Sequence, residues 1–85
     1  MLNITVEYFA QFRDLAGKRQ ERLQLPATTP PLPTIAQVYD QLAAQYHFPL
    51  GKSDVKVAIN EEFAHWDYQL KDGDTLVFIP PVAGG

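Results

Sequence analysis

The chain has 85 residues, a length that holds one hydrophobic core and leaves no room for a core plus a deep private pocket. With 46% apolar and 20% charged residues it reads as globular rather than disordered. Ten acidic against seven basic residues leave a net charge of −3, which argues against a nucleic-acid binder with its usual basic stripe. The longest strictly apolar run, Leu76 to Ile79, is too short to span a bilayer. Met1 to Ala10 has no basic flank and carries Glu7 among its apolar residues, unlike a secretory signal, so a cytoplasmic location is expected.

Leu2, Ile4, Val6 and Tyr8 alternate with Asn3, Thr5 and Glu7, the period of a half-buried strand. From Phe9 the period changes. Phe12, Leu15 and Ala16 stand at i, i+3 and i+4, and Gly17 follows where a left-handed residue ends a helical turn. Glu21, Leu23 and Leu25 alternate again, so the two strands read as a hairpin with an elaborated loop. Pro26 to Pro33 cannot donate regular ladder bonds and is expected to cross the surface as an extended connection.

Thr34-Ile35-Ala36-Gln37 is a capping box, opening a helix whose apolar stripe is Ile35, Val38, Tyr39, Leu42, Ala43 and Tyr46. Phe48-Pro49 and Gly51 are expected to close it. Val55, Val57 and Ile59 make a third strand. Asn60-Glu61-Glu62 turns into a short segment from Phe63 to Trp66, in which His65 sits. Asp72-Gly73 marks another turn, and Thr75 to Ile79 is the last strand. One helix cannot cover both faces of a sheet, so a mixed sheet of about five strands is expected to wrap one side of it, an α+β architecture.

Catalytic constellations are missing from this pattern. The chain has no cysteine, which removes thiol nucleophiles and thiolate metal sites. His47 and His65 have no ligand partner at helical spacing and read as surface residues, and Asp72-Gly73-Asp74 lacks the further oxygen ligands of a calcium loop. No metal site and no cofactor bound by this chain are expected.

The C-terminal residues Pro80-Pro81-Val82-Ala83-Gly84-Gly85 stand apart. The prolines stop the ladder and hold the chain extended, and the two glycines fit a channel too narrow for any side chain. At about 3.3 Å per residue such a tail reaches roughly 20 Å, enough to place the Gly85 carboxylate in another protein's active site. A carboxylate is ionised near neutral pH and a poor electrophile, so it must first be activated. Conversion to an acyl-adenylate with ATP and Mg²⁺ is the expected route, and a partner must supply the nucleotide site. The chain therefore divides into a domain over 1–79 and a flexible tail over 80–85.

Three blocks resemble the molybdopterin synthase small subunits. They are Phe9-Ala10-Gln11-Phe12-Arg13-Asp14-Leu15-Ala16-Gly17, then Asn60 with Leu70-Lys71-Asp72-Gly73-Asp74, then Phe78-Ile79-Pro80-Pro81-Val82-Ala83-Gly84-Gly85. The resemblance covers nearly the whole chain. It departs in the proline-rich loop and at Glu61, a turn position where such proteins commonly have glycine.

The resemblance implies a ubiquitin-like β-grasp fold, with the first and last strands adjacent and parallel in the middle of the sheet. It further implies a sulfur carrier that is not an enzyme on its own. An adenylating enzyme related to the ubiquitin-activating family would adenylate Gly85, and a sulfur donor protein would convert it to a thiocarboxylate. The tail would then enter the large synthase subunit, which holds the catalytic side chains, and pass sulfur to cyclic pyranopterin monophosphate. The implied assembly is a heterotetramer of two small and two large subunits.

Strand parity indicates where a partner docks. If Leu2 to Tyr8 face the helix through alternate residues, Phe9 leaves that alternation and points outward. Leu76 and Phe78 then face the core and Val77 and Ile79 the other side. With Phe63 these residues form an apolar patch beside the tail, with Arg13 as a candidate partner for an acidic group. These positions also match the family's hydrophobic contact surface. The alternatives are a sulfur carrier for thiamine thiazole synthesis, a ubiquitin-like modifier conjugated through Gly85, and an interaction module with an inert tail.

Overall fold

The computed structural model describes residues 1–26 and 30–81. Strands β1 (Leu2–Tyr8), β2 (Gln20–Leu25), β3 (Lys56–Ile59), β4 (Glu62–Ala64) and β5 (Thr75–Ile79) form one sheet in the order β2-β1-β5-β3-β4. Only β1 and β5 run parallel; the other neighbours are antiparallel. Helix α1 (Gln11–Ala16) interrupts the first hairpin, and helix α2 (Ile35–Tyr46) connects β2 to the far half of the sheet. This is the expected β-grasp arrangement. The central parallel pair places the end of β5 directly beside the end of β1.

The period-two residues of β1 are buried as the alternation requires, and so are Leu76 and Phe78 of β5 and Val57 and Ile59 of β3. Against this face α2 lays Ile35, Val38, Tyr39 and Leu42. Aromatic rings fill the space between. Phe12 meets Phe48 edge-on with centroids 4.8 Å apart, and Tyr39 meets both Trp66 and Phe78 at 5.2 Å. From α1 only Phe12 and Ala16 turn inward; Leu15, expected on the same stripe, stays largely exposed. Gly17 takes the left-handed conformation (φ 76°) and its N–H donates to the Arg13 carbonyl, as expected at a helix stop.

The capping box forms in full. Thr34 Oγ1 accepts from the Gln37 N–H at 3.2 Å, and Gln37 Oε1 accepts from the Thr34 N–H at 2.9 Å. The next two orphan donors reach another segment: the Ile35 N–H donates to the Tyr68 carbonyl and the Ala36 N–H to that of Trp66. The other end departs from expectation. The helix closes on His47 in the left-handed region (φ 59°), not on Phe48-Pro49 and Gly51. The Phe48 N–H donates back to the Ala43 carbonyl, and this reversal swings the Phe48 ring into the core. A second departure is β4, which ends at Ala64. His65 lies just beyond it, exposed, with its carbonyl accepting from the Tyr68 N–H.

Candidate docking surface and tail exit

The second face of the sheet grades from polar to apolar along the strands. Parity puts Asn3, Thr5 and Glu7 of β1 on it, together with Val77 and Ile79 of β5 and Ala58 of β3. At one end, Arg22, Thr5 and Thr75 stand in register across β2, β1 and β5. One step along, a row crosses all five strands: Gln20, Glu7, Val77, Ala58 and Phe63. The next step brings Ile79 opposite Lys56, and there β5 ends. The chain therefore leaves the sheet one step beyond the Val77-Ala58-Phe63 run of its open face.

Phe9, Phe63, Val77 and Ile79 line one open groove of about 400 Å³ with Glu7, Ala58 and Glu61. Phe9 is 51% exposed and Phe63 is 79% exposed, unusual for rings of this size. The expected patch thus exists as one surface. Burial of both sheet faces is not what the described residues show.

Each side chain has a local cause for its place. Phe9 follows the last residue of β1 and is turned aside by Ala10, whose φ of 49° and ψ of −123° make a tight reversal closed by the Phe12 N–H on the Phe9 carbonyl at 3.0 Å. Phe63 sits on β4 after the two-residue turn Asn60-Glu61, where both residues have positive φ (50° and 75°). A two-residue hairpin of the I′ kind requires that conformation. Glu61 thus adopts a backbone conformation that glycine would take without strain.

Arg13 is exposed on α1 and lines a neighbouring depression with Glu7, Tyr8, Phe9, Arg19 and Gln20. It sits beside the patch, on the Phe9 side. Sequence reasoning missed three groove residues: Glu7, Ala58 and Glu61. The alternation in β1 carried the signal for Glu7. The other two needed the β3 register, which no local pattern reveals.

Electrostatics pin Tyr8, the residue before Phe9, on the helix-facing side of the sheet. Glu21 Oε1 accepts from the hydroxyls of Tyr8 at 2.5 Å and Tyr46 at 2.7 Å, and Lys18 Nζ lies 3.5 Å from Glu21 Oε2. Burial alone pushes the Glu21 carboxyl up, but the two hydroxyls and the ammonium outweigh it and hold it below its ordinary value. Tyr8 is pushed well above its ordinary 10 by burial and then by the Glu21 carboxylate.

Pro80 is half-buried at the end of β5 and Pro81 is exposed. Val82, Ala83, Gly84 and Gly85 lie outside the described residues, so the expected tail insertion and the Gly85 chemistry fall there. Among the described residues no group of three or more His, Asp or Glu side chains is placed to hold a metal ion. No helix among them is long and apolar enough to cross a membrane.

The ThiS family model matches residues 6–85. The molybdopterin synthase sulfur carrier subunit of Escherichia coli (strain K12) is 35% identical over 85 residues, covering 96% of this chain and 99% of that protein. Among solved structures, a Pyrococcus furiosus protein described as molybdopterin converting factor, subunit 1, has a TM-score of 0.76 at 31% identity. It covers 96% of this chain and 100% of its own. A ubiquitin from Caldiarchaeum subterraneum shares the fold, with a TM-score of 0.62 at 17% identity over 99% of this chain and 98% of that one.

Proposed function

The chain belongs to the ThiS family, and from that premise we propose that it is the sulfur-carrier subunit of a molybdopterin synthase. The observation that carries this reading is the exit of β5: Ile79 and Pro80 leave the sheet beside an exposed groove of Phe9, Ala58, Phe63 and Val77. A carrier must dock by its body while its tip reaches a remote centre, and this placement serves both needs. End-to-end similarity to the Escherichia coli sulfur carrier subunit supports the same reading.

In this reading the carrier supplies an atom rather than a catalytic side chain. One Gly85 carboxylate oxygen attacks the α-phosphate of ATP in the adenylating partner, with Mg²⁺ assisting and pyrophosphate leaving. The outer sulfur of a donor-protein persulfide then attacks the acyl carbon, and AMP departs. A donor thiol next attacks the donor-side sulfur of the resulting acyl disulfide, forming a disulfide with the donor and releasing the thiocarboxylate. The tail (Pro80, Pro81, Val82, Ala83 and Gly84) threads the large synthase subunit and offers this sulfur to cyclic pyranopterin monophosphate. Phe9, Phe63, Val77 and Ile79 form the apolar contact with the partner, and Arg13 extends it as a polar rim.

The test is the intact mass of the protein after incubation with its adenylating enzyme, ATP, Mg²⁺ and a sulfide source. The expected result is a gain equal to exchange of one oxygen for one sulfur, located by fragmentation at Gly85. An unchanged mass, with an adenylating enzyme proven active by pyrophosphate release, would overturn the proposal.

A further inference from the structure

Phe63 is the most exposed large apolar side chain of the docking groove, yet its own strand does little to hold it. β4 is three residues long, lies at the sheet edge and pairs only with β3. What fixes it is the turn before it. The Asn60 N–H donates to the Thr75 carbonyl at 2.9 Å, and Asn60 Oδ1 accepts from the Thr75 N–H at 2.9 Å. The side chain thus supplies the acceptor that a further ladder residue would have supplied from its backbone. Asn60 Nδ2 donates to Asp74 Oδ1 at 3.0 Å.

Asp74 is 5% exposed, and it is the one buried charged residue among those described. Its second oxygen accepts from the Lys71 N–H at 2.8 Å and the Tyr68 hydroxyl at 3.2 Å, so both oxygens are occupied. A buried carboxylate is costly unless its lone pairs are satisfied, which makes the geometry around it stiff. The turn bearing Phe63 is therefore bolted to the first residue of β5, the strand that carries Val77 and Ile79 and delivers the tail.

We propose that Asn60, seated on Asp74, is a positioning residue for partner docking: it holds Phe63 at a set distance and angle from the apolar run of β5. This rests on the reading that the groove receives the large synthase subunit. Asparagine meets three demands at once, tolerating φ of 50°, accepting from Thr75 and donating to a carboxylate. Glycine meets the first only. Aspartate meets the first two and sets a carboxylate against Asp74.

The test measures the affinity of the full chain for the large subunit by titration calorimetry, with thermal melts in parallel. Phe63→Ala is expected to weaken binding. Asn60→Gly, which keeps the turn conformation accessible, is expected to weaken it by about tenfold, the scale of one lost hydrogen bond to a charged group. In the Phe63→Ala background, Asn60→Gly is expected to cost no further affinity, because it acts through that ring. Asn60→Asp is expected to bind weakly and the swap Asn60→Asp with Asp74→Asn to recover, since donor and acceptor have traded places.

Tyr39→Phe serves as the control. It removes the hydroxyl hydrogen bond to the Leu50 carbonyl and is expected to lower stability without changing affinity. Wild-type affinity in Asn60→Gly, or losses that add in full in the double variant, would overturn the positioning role and leave the docking reading standing. Wild-type affinity in Phe63→Ala would remove the docking reading itself, and this inference with it.

Discussion

Ala10 stands at φ 49° and ψ −123°, a combination that suits glycine and costs an L-residue of order 1–3 kcal/mol. The strain sits between β1 and α1, at the reversal that throws the Phe9 ring outward. Ala10→Gly removes the clash at the expense of some unfolded-state entropy, leaving an expected net gain of about 1 kcal/mol. A thermal melt should register this as a rise of roughly 5 °C; a lower melting temperature would show that the alanine conformation is relaxed. On the helix-facing side of the sheet, the Glu21 carboxyl has a folded pKa below its ordinary 4.5, so its contribution to stability is present above that value. That contribution is lost as pH falls through the lowered folded pKa. Glu21→Gln should accordingly flatten the acid limb of the stability–pH profile below about pH 4.5, measured by urea denaturation at successive pH values. None of this was readable in the order of residues. Glu21 meets Tyr8 and Tyr46, separated from it by 13 and 25 positions, and only the fold brings them together.

Helix α2 shows the opposite case, because its start is written locally. Thr34 and Gln37 are three residues apart, and their reciprocal hydrogen bonds need no distant partner to be inferred. Thr34→Ala should cost about 1 kcal/mol and lower the melting temperature by roughly 5 °C. An unchanged melt would mean that the carbonyls of Trp66 and Tyr68 suffice to cap the helix. Its end was less legible, since left-handed closure fell on His47 rather than on a glycine and drew Phe48 inward. The strands are legible through parity, and β5 makes that testable residue by residue. Ile79→Asp changes a half-exposed position on the open face and should retain the wild-type melt while binding to the large subunit falls. Phe78→Asp, one residue earlier and fully buried, should unfold the domain. Loss of the fold in Ile79→Asp would show that the open face carries structural weight.

At the scale of the whole molecule, the sheet order has one consequence that no single strand contains. With β1 and β5 as parallel neighbours at the centre, every member of the hydrophobic cluster among the described residues lies between Leu2 and Phe78. That central pairing entered the sequence reading only through family resemblance. Hydrophobic periods identify strands but say nothing of which pair, and the contact between Val6 and Leu76 spans almost the full chain. The groove was legible as a set of outward residues and not as a surface with Ala58 at its centre, for the same reason. A chain truncated after Pro81 retains every core residue among those described and should melt within a degree or so of the intact protein. It should still bind the large subunit through Phe9, Phe63, Val77 and Ile79, and should acquire no sulfur from the adenylating system. Added in excess to a synthase reaction, it should inhibit by occupying the docking site, with inhibition relieved by more intact carrier. A truncated chain that failed to compete would mean that the tail, rather than the groove, supplies the affinity. One that still supported molybdopterin formation would move the sulfur-bearing atom away from Gly85.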